Sequence, residues 1–127
     1  MRQTEKILII DDEEDICYFL SRNLGKKNYQ TSFAHSIAEA EKKIANEKPD
    51  IVFLDNHLPD GYGIHNISKW LDKLPDMKIV VLSAHDSPDV KAKAYNSGAS
   101  YFLSKPFTIT EINNVLELLL NPGTKNH

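Results

Sequence analysis

The chain has 127 residues, enough for one compact domain that buries its core without disulfides or structural metal. Fifteen basic against eighteen acidic residues leave a net charge of −3, which excludes the basic excess of a nucleic-acid-binding surface. An apolar fraction of 41% excludes a disordered chain, no apolar run reaches membrane-spanning length, and the lone Cys17 has no internal disulfide partner, so a cytoplasmic protein is expected.

Lys6 to Ile10 (KILII) is a short, nearly continuous apolar run, the pattern of a strand covered on both faces. The acids Asp11 to Asp15 follow it. Cys17 sits in the next helical segment, where apolar neighbours make it a buried small hydrophobe rather than a reactive thiol. Gly25 marks a helix stop, and Tyr29 to Ala34 is a weaker, more polar strand. Ser36 and Glu39 match a capping box at the next helix, which Pro49 ends. Ile51 to Leu54 is a second strong strand, closed by Asp55. Ile67, Trp70, Leu71 and Leu74 give a helix with a core-facing stripe, stopped at Pro75.

Ile79 to Leu82 is a third strong strand, followed by Ser83. Ser87-Pro88 supplies a helix cap and a first-turn proline, and Gly98 a stop. Ser100 to Ser104 reads as a last, weaker strand, ahead of Lys105, Pro106 and Phe107. Thr108 and Glu111 match a second capping box, and Ile109, Ile112, Leu116 and Leu119 form one apolar stripe. Residues 121–127 are polar and read as a tail or the start of a linker after a domain at 1–120. Strand and helix thus alternate five times, which implies an α/β fold with a parallel sheet and helices on both faces.

Ligands of open parallel sheets bind at the carboxyl ends of the strands. Those ends carry Asp11 and Asp12, Asp55, Ser83, and Lys105. Close carboxylates repel by roughly 4 kcal/mol per pair at an effective dielectric near 20, so the cluster calls for a proton or a divalent cation. Oxygen-only ligation suits Mg²⁺. Asp55 then serves as a carboxylate nucleophile, Lys105 as a mobile cation and Ser83 as a hydroxyl donor for a phosphoryl group. Each residue has a plainer reading: acids at a helix start, a loop aspartate, a capping serine, a solvated lysine. All four would have to hold together at four strand ends.

The chain resembles the response-regulator receiver family from about Lys6 to Leu120, through ILIIDDEED, DIVFLDNHLPDGYG, VVLSAH and GASYFLSKPFT. The resemblance implies a doubly wound, flavodoxin-like sheet of order 2-1-3-4-5 with five helices. It implies Mg²⁺ on Asp11, Asp12, Asp55 and the His57 carbonyl, phosphorylation of Asp55, and phosphoryl contacts from Ser83 and Lys105. A cis bond is implied before Pro106. Phe102 takes the position of the family's switch aromatic, against which stands plain core packing. The implied donor is a sensor histidine kinase or phosphotransfer protein. The implied recipient is an output protein or an effector domain beyond this chain, with self-association through the last two strand–helix units as a further expectation.

His57 and His85 fall two residues after Asp55 and two after Ser83, at the expected rim. There they would tune how water reaches the phosphoryl group, set against two solvated loop histidines. No histidine pair has the spacing of a helical metal motif, and His35, His65 and His127 read as surface residues. Three other functions remain open. A flavin or dinucleotide enzyme is disfavoured by acids where phosphate would bind, and an aspartate phosphohydrolase, with His57 as acid, by the lack of a cap domain. A receiver that binds partners without phosphorylation is the third.

Overall fold

A computed structural model describes residues 5–121, so the polar tail from residue 122, His127 included, lies outside the described residues. Five strands, β1 (Lys6–Ile10), β2 (Gln30–Ala34), β3 (Ile51–Asp55), β4 (Lys78–Ser83) and β5 (Tyr101–Ser104), form one parallel sheet of order β2-β1-β3-β4-β5. The helices are α1 (Glu14–Gly25), α2 (Ile37–Glu47), α3 (Ile67–Lys73), α4 (Pro88–Ser97) and α5 (Ile109–Leu120). This is the doubly wound architecture expected, with each predicted strand present and its ends shifted by a residue at most.

The apolar runs are continuous because the sheet has a core on each face. Leu8, Ile10, Val52, Leu54, Ile79, Val81 and Phe102 point to one side, where α2, α3 and α4 cover them. Ile7, Ile9, Ile51, Phe53, Val80, Leu82 and Leu103 point to the other, under α1 and α5. Alternate residues of one strand therefore serve opposite cores, the period of two that a pleated strand imposes. Strand β2, at the sheet edge, keeps only Ala34 fully buried, which accounts for its polar sequence.

The caps follow the sequence closely. Thr108 and Glu111 form the full reciprocal box at α5, and Ser87 accepts the Val90 amide with Pro88 in the first turn of α4. At α2 the box is split. Ser36 accepts from Glu39 N, while Glu39 reaches one residue further back, to the His35 amide. The remaining first-turn amides of α2, at Ile37 and Ala38, donate to Asp60 at 2.8 and 3.0 Å, a carboxylate from a loop over twenty residues away. Those two bonds hold the Asp60 carboxyl below its ordinary range. Gly25 is the last residue of α1, and the left-handed turn after that helix falls to Asn28 (φ 70°). Gly98 does close α4 with φ 115°, a conformation that glycine adopts without steric cost.

Trp70 is in the core, as expected, and its indole N–H donates to Glu41 on α2, which also pairs with Lys69. Cys17 is buried too. Its thiol lies 3.3 Å from the Asp11 carbonyl, and burial, then the charges of Asp11, Glu14 and Asp12, push it up to about 12.

Between β3 and α3 the chain makes a tight knot absent from the sequence-based expectation. His57–Leu58 pairs with Gly61–Tyr62 in a miniature antiparallel hairpin, and a 3₁₀ turn spans Gly63–Asn66. Buried Asn56 organises it, its carbonyl accepting Gly63 N and its side chain accepting Ile64 N. Gly63 is pressed against β3. A Cβ there would stand 2.6 Å from the Asp55 carbonyl oxygen and 2.8 Å from Leu54 Cγ. Gly63→Ala should therefore destabilise the fold by about 1–3 kcal/mol, the range for overpacking a well-filled site. Urea denaturation checks this, and an unchanged midpoint would contradict the close approach.

Candidate functional site

The ends of β1, β3 and β4 and the residue after β5 converge at one edge of the sheet. Parallel pairing makes this so, because Ile10 lies opposite Leu54, Asp55 opposite Leu82, and Ser83 opposite Ser104. The residues that begin each following loop must then meet.

Asp11 and Asp55 are buried and Asp12 is exposed. One carboxylate oxygen from each lies within 4.8 Å of the others. Lys105 reaches across with its Nζ 3.0 Å from Asp11 Oδ2 and 3.5 Å from Asp55 Oδ1. Sequence reasoning left out a third partner, Glu13, whose Oε2 is 3.1 Å from the same ammonium. Its only signal was its place in the acidic run. Burial works to lower the Lys105 pKa, but the bond to Asp11, the charges of Asp11 and Asp55 and the bond to Glu13 outweigh it, so the ammonium is held above its ordinary range.

The carboxylates are only partly compensated. Burial, then the neighbouring Asp11 charge, push Asp55 up to about 6, against the pull of Lys105 and the His57 amide. Asp11 is also raised, by burial above all, while its Oδ1 accepts the Glu13 amide at 2.9 Å. Among the described residues Asp11 Oδ2 has no polar partner besides the Lys105 ammonium, which itself is shared with Glu13 and Asp55. A buried anionic oxygen served by one shared ammonium, beside two more carboxylates, is the donor set that a hard divalent cation satisfies. These residues fit Mg²⁺.

Ser83 is buried at the end of β4. Its Oγ accepts the His85 amide at 3.0 Å, which leaves the hydroxyl proton for another acceptor. The Lys105 amide donates to the Ser83 carbonyl at 2.9 Å, and the Lys105–Pro106 peptide is cis. Asp55 Oδ1 accepts the His57 amide at 3.3 Å. His57 and His85 lie side by side, ring centres 4.5 Å apart. Phe102 points into the core under α4, with Lys91 Nζ 5.9 Å from its ring centre. Its amide donates to the Tyr95 hydroxyl at 3.1 Å, a clasp between α4 and the edge strand that no sequence signal announced.

A family model described as the response regulator receiver domain matches residues 7–117. The chain is 34% identical over 116 residues to PhoP of Bacillus subtilis, an alkaline phosphatase synthesis transcriptional regulatory protein, covering 91% of this chain and 48% of PhoP. It spans half or less of the length of the first curated relatives that it matches. A crystal structure of a two-component response regulator from Clostridium difficile superposes with a TM-score of 0.90 at 30% identity, over 97% of this chain and all of that one. A Burkholderia pseudomallei response regulator carrying a phosphorylated aspartic acid and a calcium ion superposes at 0.81 with 27% identity, over 95% of this chain and 75% of that one. With the fold, the acidic cluster at the strand ends and these likenesses together, the chain belongs to the response regulator receiver domain family of two-component signalling.

Proposed function

We propose that this domain accepts a phosphoryl group on Asp55 from a phosphohistidine donor, a sensor histidine kinase or a phosphotransfer protein. The observation that carries the reading is a buried, incompletely compensated Asp55 carboxylate with the Lys105 ammonium at 3.5 Å. Asp11, Asp12, Asp55 and the His57 carbonyl would hold Mg²⁺, which supplies counter-charge for the carboxylates and the incoming phosphoryl oxygens. An Asp55 oxygen attacks phosphorus, the P–N bond of the donor breaks, and the imidazole leaves with its electron pair. Lys105 then exchanges its contact with Asp55 for a phosphoryl oxygen, and the free Ser83 proton is donated to another. Positioning and charge compensation are the whole task, and the only catalysis is of the domain's own phosphorylation and dephosphorylation.

Output is proposed to run through Ser83. Drawn towards the phosphoryl group, its hydroxyl gives up the His85 amide, and the start of α4 and Phe102 on β5 re-pack. The altered α4–β5 face would be read by an output protein, an effector domain or a second copy. His57 and His85 are proposed to set the lifetime of the phosphoryl group by screening it from water.

Incubation with acetyl phosphate and Mg²⁺ should add one phosphoryl group by intact mass, and Asp55→Asn or removal of Mg²⁺ should abolish the gain. Ser83→Ala and Lys105→Ala should each slow it by at least tenfold, since each removes one charge-compensating contact. No gain with acetyl phosphate or with a phosphohistidine donor would overturn the reading. His57→Ala and His85→Ala should change the rate of loss of the label several-fold, and unchanged rates in both would remove the screening role.

Metal-free stability carries a separate signature. A carboxyl raised to about 6 from an ordinary 3.8 binds its proton more tightly folded than unfolded. Stability from this group is therefore present below about pH 4 and lost as pH rises to about 6, leaving a net cost at pH 7. Asp55→Asn should raise metal-free stability at pH 7 by about 1–3 kcal/mol, and the gain should vanish near pH 4. Mg²⁺ should stabilise the wild type more than the variant; thermal melts across pH check both statements.

A further inference from the structure

Twenty-seven residues separate His57 from His85 in sequence, yet the fold brings their rings together with centres 4.5 Å apart and planes at 50°. Two imidazoles on one tetrahedral ion, with Zn–N near 2 Å, place their ring centres roughly 5 Å apart. The observed separation is close to that spacing. Both side chains are exposed, and among the described residues neither imidazole nitrogen is engaged in a hydrogen bond or ion pair.

The pair is also braced. Tyr62, opposite His57 in the hairpin register, packs edge-on against its ring at 5.3 Å, and His65 in turn packs on Tyr62 at 5.4 Å. The rings border a cavity of about 470 Å³ between the hairpin and the start of α4, with space for the waters or small anion that would complete a coordination shell.

We propose that His57 and His85 together bind a divalent transition cation of borderline softness, Zn²⁺ or Ni²⁺, at a site distinct from the carboxylate cluster. Ligand chemistry separates the two. Mg²⁺ seeks oxygen and takes Asp11, Asp12 and Asp55, whereas imidazole nitrogen favours the later first-row ions. The negative field of the acidic run steers either cation to this edge of the sheet. Because one ligand follows β3 and the other β4, the bound ion would tie the Asp55 loop to the Ser83 loop.

The test is calorimetric titration of the full chain with NiCl₂ in a large excess of Mg²⁺, which competes for the carboxylates, with Asp12→Asn as the control for Ni²⁺ held there. One equivalent should bind to the wild type and to His65→Ala, Tyr62→Ala should bind more weakly, and His57→Ala and His85→Ala should each bind at background level. Paramagnetic Ni²⁺ should selectively broaden the wild-type His57 and His85 ring signals, a reading that depends on no variant folding. Absence of binding, equal binding in both histidine variants, or broadening centred on Asp11 and Asp12 would each overturn the proposal. Neither measurement involves phosphorylation, so failure here leaves the proposed role of Asp55 standing.

Discussion

The arrangement of this domain turns on one electrostatic tension, several carboxylates gathered around a single ammonium at the edge of a dry sheet. Asp11 is fully buried, Asp55 nearly so, and Lys105 is only 13% exposed while facing Asp11, Glu13 and Asp55 at once. Charges so placed interact far more strongly than on the surface, and one cation cannot balance three acids. Burial above all, and then the neighbouring acids, raise the Asp11 and Asp55 carboxyls. A hard divalent cation brings the positive charge that such a site lacks.

Rigid elements make the tension sustainable. Asp11 follows β1 and Asp55 ends β3, strands whose residues serve two separate cores, so the backbone that carries these two buried acids is held from both faces. The loops are fastened by specific bonds. Asn56 and Gly63 hold the turn after Asp55 against β3, and Asp60 ties the hairpin tip to the first turn of α2. The His57 carbonyl sits between these anchors, so a loop that could wander is instead part of the framework.

The other side of the site is looser. The Ser83 hydroxyl accepts the His85 amide, and Phe102 is packed under a short α4 that the Tyr95 hydroxyl fastens to the edge strand. Asp55 therefore has a rigid floor on one side and a more loosely held unit on the other, the asymmetry on which the proposed switch would draw.

Much of this was already legible in the sequence, for physical reasons that can be named. Continuous apolar runs arise only where both faces of a strand are covered, so KILII, IVFL and IVVL announced a two-layered parallel sheet, and the residue after each run announced the site. Thr108, Glu111, Ser87 and Pro88 act through neighbours three or four residues away, so their caps were equally readable. What only the tertiary structure decided involves partners distant in the chain. Asp60 on the α2 amides, Glu13 on Lys105, Tyr95 on the Phe102 amide and the approach of His57 to His85 join side chains from separate loops or elements. A strand's burial is written in its own residues, but a contact between two loops depends on the register and twist of the strands that carry them, which no local pattern records.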